Sequence, residues 1–428
     1  MANYALLNCW SDLNKGDLGI MLATVDEIRR QDPQARIIGV SCYNENDPQF
    51  QECHKILRQS VPDIYPAIWG VLGLYIGGRY RKEFLCKIVS GIWGELQYLL
   101  LSLFPRKFSM LFLKKNERRT LEAILSCGAV FSKGGSVFSD YGTVRGRIAL
   151  RRLCRFYGLL HRFGCKYYIL GQSFGPVGER SSRYVNAVLK NARYVFIREQ
   201  VCVREYPALR LSAENVLFSN DTAFLLTPQE VTPNPIDRGY HNVGITVREI
   251  STDADGYANA MVAFLTRLLR EREDCRVHIF RQVSMPDEPD NKMAERVMGK
   301  ISSELSDRVL YHTQEYLPQE LCWLYGQMDA FIGTRLHSTI FAMRGGVPAI
   351  GIAYHGTKTQ GIFENIGVPE LVLQGPLSAE ALWERYLYLT GHMDELRTRV
   401  AAGVERAQNE MRKTIHTIVE DAQKGEFP

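Results

Sequence analysis

Short apolar runs that end in Gly, Ser, Asn, Asp or Arg, separated by helical stretches, constrain this chain more than any other feature. "YALLNCW" (4–10) and "ARIIGVSCY" (35–43) flank a helix that opens in the loop "SDLNKGD" (11–17) and runs to about Gln31. "GAVFSKGG", "KYYILGQSFGP", "RYVFIRE" and "NVLFSND" repeat the arrangement, with helices expected at about 145–163, 180–192 and 199–206. A second series follows: "VGITVRE", "RVHIF", "RVLYH", "MDAFIGT" and "PAIGIAY", with helices near 256–272 and 288–305. Strands alternating with helices imply parallel sheets whose functional loops lie at the strands' carboxyl ends. Between the two series, "TPQEVTPNPIDRGYHN" (227–242) carries three prolines and few large apolar residues, which marks a linker. The expectation is an α/β protein of two doubly wound, Rossmann-like domains facing a cleft. Residues 1–228 and 229–428 form the domains, and terminal helices occupy about 378–424.

The segment 65–119 does not fit the alternation. "AIWGVLGLYIGG" and "GIWGELQYLLLSLF" are apolar and aromatic, and positions 85, 88, 89, 92, 93, 96, 99, 100 and 103 recur at helical spacing. The segment holds ten Lys or Arg against three Glu, a net of +7, while the whole chain is only +5. One local basic patch is the consequence, and a general nucleic-acid surface is excluded. Two readings stand: a helical insertion packed on the first domain, or an in-plane contact with an anionic membrane surface through Trp69, Trp93, Arg106 and Lys107. No stretch reaches the roughly 18–20 apolar residues of a spanning helix. Asn8, Asp12, Lys15 and Asp17 interrupt any leader-like run. Ten cysteines are scattered without CxxC or a Cys/His cluster, so no metal site is expected. Reduced thiols fit the cytoplasm, with the chain soluble or peripheral on the inner face of the membrane.

"TRLHSTIFAMRGGVPAIGIAYHGTK" (334–358) places Arg335, Leu336 and His337 at a strand–helix junction and Lys358 beyond the next strand. Thr334 is the expected cap, and the glycine pair 345–346 the helix end. Helix N-termini favour anions, and no carboxylate lies between Ala330 and Gly361, so the three cationic groups point to an anionic ligand. The bland alternative pairs Arg335 with Glu364 or Asp329 and makes His337 a cap.

Together with "NKGD" (14–17), "KGGSVFSDYG" (133–142), "GQSFGP" (171–176), "IRE" (197–199) and "NDTAFLL" (220–226), this stretch resembles the polysaccharide pyruvyl transferase family. The likeness is strongest to members acting on exopolysaccharides such as colanic acid. The resemblance implies a fold similar to GT-B glycosyltransferases, with phosphoenolpyruvate as pyruvyl donor and no cofactor. It implies donor contacts from Arg335, Leu336, His337 and Lys358, with Arg198 reaching across from the first domain and Arg248 as a further candidate. Arginine suits both phosphate and carboxylate through its bidentate fork. The implied product is a cyclic pyruvate ketal on a sugar, carried on a polyprenyl diphosphate lipid. For proton transfer His337 is the first choice, though equally a phosphate ligand. Asp17 and Asp221 are candidate bases, Asp221 with a turn cap as its alternative. Asn14, Gly16, Asp17, Gly134, Gly135, Gln172 and Ser173 fall on the acceptor side. The two glycine-rich loops lack nucleotide-binding spacings and read as close-approach turns.

Two other functions compete: a nucleotide-sugar-dependent glycosyltransferase or epimerase of the same architecture, and a non-catalytic anion- or glycan-binding protein. Against the first, the 336–346 helix lacks an acidic residue to hold a ribose.

Overall fold

The computed structural model describes residues 3–69, 81–249, 253–286, 289–354 and 356–424, with the side chains of 81–90 outside the description. The chain groups into two compact units. Unit 1 holds residues up to Asp12, Thr24–Ser219 and everything from Arg412, while unit 2 holds Leu13–Ala23 and Asn220–Met411.

Eight strands belong to unit 1: β1 (Asn3–Cys9), β2 (Arg36–Ser41), β3 (Ile64–Tyr65), β4 (Ala129–Ser132), β5 (Gly135–Phe138), β6 (Tyr167–Phe174), β7 (Tyr194–Ile197) and β8 (Val216–Phe218). Their order is β3-β2-β1-β4-β6-β7-β8, with β5 also on β6, and the pairs are parallel. Unit 2 carries β9 (His241–Thr246), β10 (Cys275–Phe280), β11 (Val309–His312), β12 (Ala330–Gly333), β13 (Ala349–Ile352) and β14 (Val372–Leu373), in the order β11-β10-β9-β12-β13-β14, again parallel. The central strands are buried along their whole length. That is why they read as continuous apolar runs and not as alternating ones. Ala5, Val40, Val130 and Ile169 sit in the core of unit 1, and Ile245, Ile279, Ile332 and Ile350 in that of unit 2.

A division by chain order at 228/229 and this grouping differ in three segments. Residues 13–23 count with unit 2 because Asn14 bridges Val283 and the Lys15 N–H donates to the Gln282 carbonyl. Residues 412–424 count with unit 1, where Asp421 accepts from the Tyr168 hydroxyl and the Arg193 guanidinium. Residues 220–228 also fall in unit 2. The helix expected at 288–305 is broken at Gly299 into Asn291–Met298 and the short turn Ser303–Ser306.

The described part of segment 65–119 includes a 23-residue helix over Arg81–Leu103, a turn at Arg106–Ser109 and the start of a helix over Lys115–Leu125. Residues 70–80 of the aromatic run lie outside the described residues. Among the described residues, no helix is long and apolar enough to cross a membrane.

Candidate functional site

The carboxyl ends of β9, β12 and β13, three neighbouring strands of unit 2, deliver Arg248, Arg335 and Tyr354 to one edge of the sheet. Arg335 occupies the cap position of the Leu336–Arg344 helix. Thr334 does not cap; its hydroxyl pairs with the Tyr257 hydroxyl at 2.6 Å. Gly345 ends the helix and Gly346 follows with φ +87°, as the glycine pair led one to expect.

Arg335 has an anion of its own. Its Nε and Nη2 both donate to Asp290 Oδ1, at 2.9 and 2.6 Å, in a pair almost closed to water. The other Asp290 oxygen accepts the N–H groups of Gln282 and Val283. Burial pushes this carboxyl upward, while Arg335 and the two N–H groups pull it back toward ionisation. The expectation that the missing anion of Arg335 is a ligand is therefore corrected: it is a carboxylate 45 residues away in sequence. Neither Glu364 nor Asp329 serves in that pair. Leu336, next in the chain, is buried in the core of unit 2.

His337 lies in the first turn of that helix, half-buried, with Nε2 3.5 Å from Asp221 Oδ2. That carboxylate is fully buried, and its other oxygen caps the turn Thr222–Leu225 by accepting the Ala223 N–H. The cap alternative for Asp221 is thus the one seen, while its second oxygen faces the His337 ring. Among the described residues Nε2 makes no hydrogen bond, so the carboxylate sets a negative charge beside the ring without fixing where its proton sits. Gly16 forms a wall of the ring: a Cβ there would stand 2.5 Å from His337 Cγ. Asn14 Oδ1 accepts the Asp17 N–H at 3.3 Å, which fixes the start of the Lys15–Gln31 helix, and Asp17 is half-buried in its first turn. Lys15, not singled out by sequence, is buried and pairs with Glu315 at 2.8 Å; Arg281 and Ser284 hold the same carboxylate.

A second cationic group forms around Tyr354. The Arg248 guanidinium lies 4.2 Å from the ring centroid and Lys358 Nζ 5.5 Å from it. Lys358 is not in a loop, since it opens the Lys358–Ile366 helix, whose unpaired N–H groups add positive potential.

The edge of unit 1 is of another kind. Gln172 is fully buried, and its amide donates to the Gly135 and Ser173 carbonyls. Arg198 is 1% exposed, with Nε on the Ser173 hydroxyl at 2.6 Å. Gly135 has φ +112°, and a Cβ on Gly134 would meet the Gly171 carbonyl at 3.0 Å, so both glycines sit in close-approach turns. Sequence reading missed Glu199. It is fully buried; its Oε2 accepts the Cys202 N–H, Oε1 finds no partner, and burial pushes the carboxyl up against the pull of that N–H and of Arg198. The "IRE" run had marked its place. Of the residues named for a membrane contact, Trp69 packs inward: its indole N–H donates to Gln97 and its ring meets Tyr98. Trp93, Arg106 and Lys107 are exposed. Among the described residues no three His, Cys, Asp or Glu side chains gather as a metal site.

Residues 14–356 match the family model for polysaccharide pyruvyl transferase. The chain belongs to that family. The chain is 26% identical to the amylovoran biosynthesis protein AmsJ of Erwinia amylovora over 266 residues, which span 57% of this chain and 60% of that one. Among solved structures it is similar to the UDP-GlcNAc 2-epimerase of Neisseria meningitidis (TM-score 0.55, 10% identity, 98% of this chain and all of that one). A sucrose-phosphate synthase from Thermosynechococcus elongatus matches equally (TM-score 0.55, 13% identity, both chains covered fully). At such identities the likeness shows the fold alone, and it places this pyruvyl transferase family member among GT-B-type α/β proteins.

Proposed function

We propose that this transferase moves pyruvate from phosphoenolpyruvate to a sugar of an exopolysaccharide repeat, forming a cyclic ketal and releasing phosphate. The observation that carries the reading is the cationic edge of unit 2, where Arg248 and Lys358 flank Tyr354 past the end of β13, with His337 in the first turn of the helix that follows the neighbouring strand β12. Phosphoenolpyruvate puts a phosphate and a carboxylate on three carbons, and two fixed cations with a helix N-terminus suit such a dianionic head.

In the proposed sequence His337 gives a proton to the methylene carbon, which makes an oxocarbenium-like centre beside the carboxylate. One sugar hydroxyl adds there and loses its proton to Asp17. The C–O bond to phosphate breaks, with Arg248 and Lys358 taking up the leaving charge. The second hydroxyl closes the ring. Two hydroxyl protons leave the sugar; one ends in the new methyl group and one on hydrogen phosphate, so atoms and charge balance. Arg335, held by Asp290, shapes this edge. The acceptor is a repeat unit on polyprenyl diphosphate, met at the cytoplasmic face of the membrane.

Calorimetric titration with phosphoenolpyruvate, with UDP-sugars in parallel, tests the donor, and phosphate release with an acceptor glycan tests turnover. Lys358→Ala is the control, since Arg335→Ala would strand a buried carboxylate. Phosphoenolpyruvate binding that the variant abolishes supports the reading. A UDP-sugar that binds while phosphoenolpyruvate does not would replace pyruvyl transfer with glycosyl transfer.

A further inference from the structure

The Arg81–Leu103 helix of unit 1 has three differently committed sides. One side is buried: Leu101 joins the core, and Gln97 bonds to the Trp69 indole, the Phe112 carbonyl and Glu117. A second is polar, with Glu95 held by Arg151 and Arg155 of the Val144–Arg162 helix and the Gly91 carbonyl accepting from Arg152. The third carries Ile92, Leu96, Leu99 and Leu103, which recur at i, i+4, i+7 and i+11 and are between 44% and 65% exposed. Phe104, Phe108 and Leu111 continue the apolar surface past the helix end, the last at 70%. Arg106 and Lys107 stand exposed between them, with Lys114, Lys115 and Arg119 beyond.

We infer that this face is a docking surface for a bilayer bearing anionic lipid headgroups. A continuous row of exposed large apolar side chains on a soluble unit needs a cover. The charge of the rim decides which. A second copy offers that rim only the groups of this same face. Among the described residues, Arg106, Lys107, Lys114, Lys115 and Arg119 are exposed there and Glu95 is already held by Arg151 and Arg155, so the cations gain no counter-charge from it. An anionic headgroup layer complements that rim, while the acyl boundary below takes Leu96, Leu99, Leu103 and Phe108. Trp93, 46% exposed beside the stripe, is a residue type that settles at that boundary. The inference stands on unit 1 alone and needs neither the donor nor the acceptor of the proposed reaction. It would hold a lipid-carried acceptor and this surface in the same plane.

The test is co-sedimentation of the full chain with vesicles of phosphatidylcholine alone and of phosphatidylcholine with about 30% phosphatidylglycerol, at low and high salt. Partitioning at least tenfold stronger onto the anionic vesicles is expected. Leu99→Glu with Leu103→Glu should remove it, and Arg106→Glu with Lys107→Glu should weaken it at least tenfold on anionic vesicles only. Sedimentation velocity without lipid runs beside it. Failure to partition onto anionic vesicles at low salt overturns the inference. Unchanged partitioning of the Leu99→Glu, Leu103→Glu protein also overturns it. A lipid-independent dimer that this variant dissolves assigns the face to a second copy and overturns it as well.

Discussion

The carboxyl edges of the two sheets are built alike and used differently. In unit 2 the strand ends deliver cations, of which Arg335 is answered by Asp290 while Arg248 and Lys358 are gathered on an aromatic ring. In unit 1 the corresponding ends deliver Gln172, Ser173, Arg198 and Glu199, bonded among themselves and their own loops and deeply buried. Burial pushes both Asp290 and Glu199 upward, but Asp290 is answered by two guanidinium N–H donors and two backbone N–H groups. Among the described residues Glu199 has one backbone N–H and an oxygen that makes no hydrogen bond. The same architecture can hold charge ready for an anion or lock polar groups into a scaffold. Which it does depends on a few strand-end residues.

Substitutions can break that contrast. Asp290→Asn should cost about 3–5 kcal/mol of unfolding free energy, because it leaves a buried guanidinium uncompensated. Glu199→Gln in unit 1 should cost under about 1 kcal/mol, since the amide oxygen keeps the Cys202 N–H bond and no guanidinium among the described residues is bonded to this carboxyl. Urea unfolding of both variants decides it, and equal costs would erase the distinction. Lys358→Ala should lower kcat/KM for phosphoenolpyruvate by about 10²-fold, against less than about tenfold for Ser173→Ala. A phosphate-release assay reads both, and a larger loss at Ser173 would move the chemistry to unit 1. Gly16→Ala should displace the His337 ring and cost about 1–3 kcal/mol of stability through overpacking, with kcat falling more than phosphoenolpyruvate binding.

An effect of comparable size is in pH. Burial pushes His278 down to about 3 and His312 down to about 4, the pair bonded to each other at 2.9 Å with Asn242 behind. The unfolded chain protonates these rings near pH 6.5 and the folded chain does not. Their contribution is therefore complete above about pH 6.5 and is lost as pH falls toward 4, by about 1.4 kcal/mol per pH unit for each ring held neutral. Midpoints of urea unfolding at pH 7 and pH 5 should fall accordingly, and His312→Gln should flatten the slope. In unit 1, His54, pushed down to about 4, has the same sign.

The strand ends could be read in the sequence because a fully buried parallel strand has to be apolar until it stops, and its stop is where chemistry begins. Arg248, His337 and Lys358 stood out for that reason. Asp290 did not: it lies in "PDEPDNK", inside the stretch near 288–305 that reads as a helix, and nothing local tells that Arg335 will fold onto it. Nor did chain order reveal that residues 13–23 belong with unit 2, because that depends on the pairing of Asn14 with Val283. In the Arg81–Leu103 helix, periodicity gave the helix but not its exposure. Apolar positions spread over more than one side, and only packing separates Leu101, which is buried, from Leu99 and Leu103, which are not.

Gly16 and His337 are separated by more than 300 residues yet share one wall. During synthesis the first loop must therefore wait, at roughly 5–20 residues per second, for most of the chain to emerge before its partner exists. Unit 2 is thus finished late and cannot be completed by residues 229–428 expressed alone. Any dissection of this protein into halves would leave the histidine without its glycine, and Glu315 without Lys15.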